Sequence, residues 1–451
     1  MRRLQERLST YSPRDVLWTV DPIGPINVGT LIAALEGVDR TSWQDKRVAI
    51  GTLPILELVC ALIFLDGLVQ AILLLPDGED AQTREARLMH AKIDTVLEGD
   101  GLGFSKLLGD LNHADSTGGA LAVNETLCPT TRRTTWLMPT SGTTGAPKLV
   151  AHTISSLTRT MTVRSIGEKF TWGSLYSLRR FAGLQVFLQS WMCATPLILN
   201  EEGADLDDVL TRFINLRCNA LSATPSMWRR LAMHPLFERL SLTQITLGGE
   251  IVSQPILDAL KRQFPAARIT HIYASTEAGV GFGVRDGMAG FPADYLKHPP
   301  LGVPMRVNER NHLEFYREAV EPAETATVCE WIDSGDVIRI DAERVFFLGR
   351  SNGSINVGGN KVMPEEVESV ISEISDVAFV QVRARKSALL GSLVEAVIIP
   401  RHGAAFDSDF KKRVTTYCQG RLEDFKVPAF IVPADAIELT ASGKLCRRDA
   451  T

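Results

Sequence analysis

Short apolar runs alternate with amphipathic stretches along most of the chain. RVAIG (47–51), QAILLL (70–75), TPLIL (195–199) and QITLG (244–248) have the length of buried strands, and residues 54–66 form an apolar stretch of helix length. Strand-like runs alternating with helical ones predict an α/β fold, with a large N-terminal domain of mostly parallel sheets flanked by helices. Polar or glycine-rich breaks fall at 99–120, 140–147, 281–292 and 349–359. After the last break the pattern restarts. Pro364, Val367, Val370, Ile371 and Ile374 keep helical spacing, with Pro364 suited to the first turn and Glu365 and Glu366 complementing the positive end of the helix. VAFVQV (377–382), LVEAVIIP (393–400), a helix near 407–420 and a strand near 428–432 follow. This predicts a large domain over 1–351 and a small α/β domain over 352–451.

Composition narrows the function class. Of 451 residues, 45% are hydrophobic and 22% charged, which excludes disordered and collagen-like chains. Lys and Arg number 48 against 53 Asp and Glu, so bulk charge gives no reason to expect a nucleic-acid partner. The seven cysteines are scattered, with no C-x-x-C pair, which speaks against a disulfide framework or a zinc site and fits a reducing, cytoplasmic setting. Glu57, Asp66 and Gln70 interrupt the most membrane-like run, Leu53 to Leu75, so no membrane span is expected.

The strongest local chemistry is TSGTTGAPK, from Thr140 to Lys148, after the strand-like TTWLM (134–138). Thr140, Ser141, Thr143 and Thr144 bring hydroxyl donors. Gly142 and Gly145 let backbone amides turn toward an anion, and Lys148 adds positive charge. The set suits a polyphosphate, against the blander reading of a Ser/Thr/Gly turn. It is not a Walker A loop, because Leu149 follows the lysine.

The loop resembles the signature of the adenylate-forming superfamily of acyl- and aryl-CoA synthetases, peptide-synthetase adenylation domains and luciferases, and further segments resemble that family's motifs in order. LGGE (247–250) resembles the segment that lines the adenine, which assigns Gly248, Gly249 and Glu250 to the nucleotide. YASTEAG (273–279) resembles the Y-G-x-T-E motif, SGDVIRID (334–341) the segment with the ribose-binding Asp, GRSNGSINVGGNKVMPEEVE (349–368) the hinge, and LTASGKLCRR (439–448) the segment with the catalytic lysine. The resemblance implies that Tyr273 stacks on adenine, Thr276 donates to the α-phosphate, Glu277 holds Mg2+, Asp336 accepts the ribose hydroxyls and Arg350 contacts ribose or phosphate. It makes Asn352 the hinge of a mobile small domain and Gly359 the point where a pantetheine arm passes. Lys444 would enter between carboxylate and α-phosphate. Each position has a plainer reading: a capped helix start at 273–277, a turn aspartate at 336, solvated charges at 350 and 444.

The reaction implied is activation of a carboxylic acid by Mg–ATP to an acyl-adenylate, then transfer to coenzyme A. The alternatives are transfer to the phosphopantetheine arm of an acyl carrier protein, or a nucleotide-binding protein without turnover. Phe181, with Ala182 and Gly183 beside it, falls where peptide-synthetase domains place an acidic partner for an α-amino group. Such a wall disfavours an amino acid and favours an aryl or medium-chain acyl acid. The sequence departs from the family's pattern at Leu149, Ala274, Asn352 and Asn356. His152 and His271 are expected to be structural, and Trp191 and Trp228 to be core or pocket wall.

Overall fold

The structure, a computed structural model, describes residues 3–21, 23–108, 133–140, 148–161, 170–320, 327–387, 391–401, 403–436, 438–440 and 443–446. Its strands form three sheets. The first has eight strands, in the order Gly279–Val284, Arg268–Ser275, Gln244–Gly248, Ala220–Ala223, Trp172–Gly173, Leu197–Ile198, Val16–Val20, Gly24–Asn27. All neighbours are parallel except at the two edges. The predicted QITLG strand is an interior strand of this sheet, paired in parallel with Ala220–Ala223 on one side and Arg268–Ser275 on the other.

The ten-stranded second sheet has a parallel half, built from Thr135–Pro139, Ala71–Leu74, Arg47–Ile50 and Thr95–Leu97. The helix Ile55–Leu65, buried at every position, packs into the core beside it, as an apolar run of that length requires. Leu149–His152 then pairs antiparallel with Thr135–Pro139 and leads to an antiparallel meander of His312–Val320, Thr327–Asp341 and Arg344–Arg350. This meander was not legible as such in the sequence. The glycine-rich break expected at 281–292 is also part strand. Gly279–Val284 pairs with Arg268–Ser275, and a Cβ on Gly281 would lie 2.9 Å from the Phe315 ring, so glycine there lets the strand press against an aromatic cluster.

The third sheet belongs to the C-terminal part and joins Ile355–Val357, Asn360–Val362, Val377–Ser387, Gly391–Pro400 and Phe430–Pro433. With the helices Pro364–Ile371 and Ser408–Gln419 it encloses a core of its own, centred on Val362, Val367, Ile371, Val382, Ile398 and Phe410. Pro364 occupies the first turn of its helix with Glu365 and Glu366, as the spacing predicts. A short 3-10 turn, Ser351–Gly353, links this unit to the strand that ends at Arg350. No helix among the described residues is long and apolar enough to cross a membrane.

Candidate functional site

The carboxyl ends of the parallel strands in the first sheet open into one cavity of about 1550 Å³, the position where open α/β sheets bind ligands. Thr140, Gly248, Gly249, Thr276, Glu277, Arg350 and Lys444 line it, although they come from five separate stretches of chain. Of the hydroxyl-rich loop, Ser141, Gly142, Thr143, Thr144 and Gly145 lie outside the described residues. Its two ends are joined, with the Thr140 amide donating to the Lys148 carbonyl at 3.1 Å, and Lys148 itself is exposed.

His152, at the end of the strand after the loop, fixes the 276–277 turn. Its Nε2 lies 2.8 Å from the Thr276 carbonyl and therefore carries the proton that bond needs. His271 is structural in the same way, with Nε2 3.0 Å from the Met288 carbonyl. Burial holds the His271 ring below the ordinary histidine range.

Asp336 accepts from Arg350 Nε at 3.0 Å and from the Tyr273 hydroxyl, while the Ser334 hydroxyl accepts its amide at 3.1 Å. Two carboxylate oxygens offer about four acceptor sites, so capacity for further donors remains, although Asp336, behind Arg350, is not itself on the cavity wall. Tyr273 is placed differently from the adenine platform expected of it. Its ring stacks on Phe315 and Phe347, each with centroids 5.0 Å away, and on Phe282 at 5.5 Å, and it does not line the cavity. Its side chain instead orients Asp336. Burial and the neighbouring Asp336 charge both push its phenol above the ordinary range.

Lys444 reaches the cavity from the C-terminal part. Its Cε would lie 3.4 Å from a Cβ on Gly249, whose φ is +81°, so the residue under the lysine chain has a backbone that glycine adopts without strain. Burial, then the facing Arg350 charge, lower the ammonium's pKa, while Glu250, Asp336 and Glu277 counter them. The loop carrying it is gripped at two points. Thr224 Oγ1 donates to the Gly443 carbonyl, and Glu250 Oε1 accepts the Leu445 amide at 2.8 Å. The other oxygen of Glu250 accepts the Ser226 amide at 2.9 Å. Glu250 is thus bound to backbone and is absent from the cavity wall, a correction to its expected place beside the adenine. Sequence reasoning missed Thr224. The signal was the Thr-Pro pair at 224–225, a helix-start signature: Thr224 caps the helix Pro225–Ala232 and accepts the Met227 amide at 3.1 Å.

Phe181 opens the helix Phe181–Cys193 and lines the cavity with Ala182, Gln185, Val186 and Gln189, the face that helical spacing selects. Gly183 is out of phase with that face. A Cβ there would meet the Ser177 carbonyl at 2.1 Å, so this glycine permits a backbone crossing and is not a pocket residue, which corrects the expectation for it. Trp191 and Trp228 are core. Gly359 is exposed in the hairpin turn after Ile355–Val357, with φ +92°, its amide donating to Asn356 Oδ1 at 2.9 Å, and away from the cavity. Asn352 lies exposed in the linking 3-10 turn.

The model of the AMP-binding enzyme family matches residues 61–325, more than half of the chain, and that of the AMP-binding enzyme C-terminal domain matches 366–444. The chain belongs to the AMP-binding enzyme family. Among its relatives is a 2-succinylbenzoate–CoA ligase of Listeria innocua, 28% identical over 356 residues that make up 72% of each protein. A feruloyl-CoA synthase of Amycolatopsis sp is 25% identical over 340 residues, 69% of this chain and 68% of that one. In fold, this AMP-binding enzyme is similar to the anthranilate CoA ligase AuaEII in complex with anthranoyl-AMP, with a TM-score of 0.74 at 18% identity over 98% of this chain and 94% of that one. A benzoate CoA ligase from Burkholderia xenovorans LB400 gives 0.73 at 17% identity over 99% of each.

Proposed function

We propose that this AMP-binding enzyme is an acid–thiol ligase, which activates a carboxylic acid with ATP and passes the acyl group to coenzyme A. In the first step a carboxylate oxygen bonds to the α-phosphorus, the α–β phosphoanhydride bond breaks, and pyrophosphate leaves. In the second, a thiol sulfur bonds to the acyl carbon and loses its proton, the carbon–oxygen bond to phosphate breaks, and AMP leaves. A carboxylate is already ionised near neutral pH, so the first step needs no general base, only placement and charge. The observation that carries the reading is the position of Lys444, an ammonium brought from the C-terminal unit to the wall that also holds Thr276, Glu277 and Arg350. An ammonium fixed where negative charge develops is worth about 3–4 kcal/mol in a site shielded from water.

In this reading the Thr140–Lys148 loop and Thr276 bind phosphates, Asp336 takes the ribose hydroxyls with Tyr273 and Arg350 orienting it, and Phe181 walls the acyl group. Magnesium fits what is present, because it needs one or two carboxylates with phosphate and water completing its shell, and Glu277 supplies one on the cavity wall. The ion would neutralise charge on the phosphate oxygens. Residues 352–451 would turn about Asn352 between the two steps, withdrawing Lys444 and bringing Gly359 to the thiol arm. The free thiols Cys60, Cys193, Cys218, Cys418 and Cys446 suit a reducing compartment such as the cytoplasm.

The test is ATP–pyrophosphate exchange across a panel of aryl and aliphatic acids, followed by product analysis with coenzyme A and with a carrier protein. Exchange with at least one acid and an acyl-CoA product are expected. Absence of exchange with every acid would leave a nucleotide-binding protein without turnover, and acylation of the carrier alone would reassign the acceptor.

A further inference from the structure

The strands that floor the cavity have two unlike faces. Leu221, Ile245 and Leu247 point away from it, into the core around Trp228 and Phe237. Gln244, Thr246, Arg268 and Thr270 face it. Parallel strands covered on both sides are ordinarily apolar on both, and a buried hydroxyl or amide left without a partner costs about 1–3 kcal/mol. Some partners come from within the patch: Gln244 Nε2 donates to Thr246 Oγ1 at 3.0 Å, and Arg268 Nε donates to Gln244 Oε1 at 2.6 Å. These groups are well ordered by one another yet still form cavity wall.

The end of the cavity near the lysine is different, with Phe181, Val186, Ile272, Ala274 and Val280 on its walls. Gln244 starts the strand that ends at Gly248, roughly 13 Å away at about 3.3 Å per residue. The floor therefore changes along its length, from Gly248 and Ile272 beside the reacting carboxyl to Gln244 and Arg268 at the far end, where Phe170 and Trp172 also line the cavity and the Arg268 guanidinium lies over the Phe170 ring.

We propose that the acid taken by this site has an apolar middle and, at its far end, an acceptor oxygen (carboxylate, hydroxyl or keto) seated over the Thr246 and Thr270 hydroxyls, beside Gln244, whose own amide donors are taken by Thr246 Oγ1 and the Ile245 carbonyl. This rests on the acid-activation reading and narrows it, since a plain medium-chain fatty acid would desolvate that polar floor and give nothing back. The experiment compares exchange rates for matched acids, phenylpropanoate against its para-hydroxy and para-carboxy analogues, and a straight-chain monoacid against the diacid of equal length. The oxygenated partner of each pair should have kcat/KM at least about tenfold higher, and the ratio should shrink several-fold in Thr246→Val and in Thr270→Val. Each variant's thermal melt shows that it folds, and either variant alone suffices. Equal use of both partners, or a ratio unmoved in both variants, overturns the inference and leaves acid activation standing. No exchange with any acid overturns both.

A separate observation concerns how Lys444 is held. The carboxylate of Glu250 bridges the Ser226 amide, at the start of the helix Pro225–Ala232, and the Leu445 amide, next to the lysine. The geometry points to Glu250 as a positioning residue for Lys444. A glutamine keeps one acceptor but turns an NH2 toward one of the two amides. Glu250→Gln should lower adenylation at least about fivefold more than it lowers thioester formation from supplied acyl-adenylate. Equal losses in the two half-reactions, or no loss in either, would show that the contact serves the fold alone.

Discussion

The two faces of the first sheet share strands, neighbours and hydrogen-bond ladder, yet one is sealed and the other hollow. On the sealed face Leu221, Ile245 and Leu247 meet Trp228, Phe237 and Phe264. On the other, Thr246 and Gly248 from the same strand face the cavity beneath the helix Phe181–Cys193. The difference shows that period-2 alternation in a central parallel strand marks a ligand chamber here, where at a sheet's surface it would mark solvent.

The comparison can be broken by activity and sharpened by stability. The largest expected effect is on the hollow side. Lys444→Ala should reduce adenylation about 10²–10³-fold, the usual cost of removing a fixed charge-stabilising donor, while thioester formation from supplied acyl-adenylate falls far less; equal loss in both would remove the lysine from the first step. The same residue gives a pH signature. Its active form is the protonated one, and burial with the facing Arg350 lowers its pKa, so kcat/KM for adenylation should fall on the alkaline side at a lower pH than an ordinary lysine would give. That limb should be missing from the thioester step. Next comes the sealed side: Leu247→Ala empties volume in a closed core and should cost about 3 kcal/mol in a denaturant melt. A stability loss there no larger than that of Thr246→Val would contradict the contrast between the faces. Smallest is Gly183→Ala. In most helices that change stabilises, but here the new methyl meets the Ser177 carbonyl, so a loss of about 1–3 kcal/mol is expected with KM for the acid unaltered.

Much of this architecture can be read from local pattern. QITLG, the 54–66 helix and the restart at Pro364 depend on neighbouring residues alone, and they form as the spacing predicts. The motifs also name some of the residues that line the cavity, among them Thr140, Gly248, Thr276, Arg350 and Lys444. Pattern gives no information about contacts between distant segments. Glu250 reads as part of a nucleotide wall until a partner 195 residues away takes its oxygen. Tyr273 reads as a stacking platform until Phe315 and Phe347 occupy its faces. Gly183 reads as pocket because its neighbour Phe181 is pocket, and only the helix's rotation about its axis separates them. The meander His312–Arg350 was hidden for another reason: its strands are long and rich in charge, unlike the short apolar runs that mark the parallel core.

The contact between Glu250 and the Leu445 amide has an electrical consequence. With the lysine loop seated, that corner of the cavity presents an ammonium to whatever enters. In the proposed turn about Asn352 the amide would go with the loop and the Glu250 carboxylate would lose that donor, leaving negative charge beside the cavity where the ammonium had been. A departing anion such as pyrophosphate or AMP would then leave past a repelling charge instead of an attracting one, and release would be favoured by the same movement that withdraws the lysine.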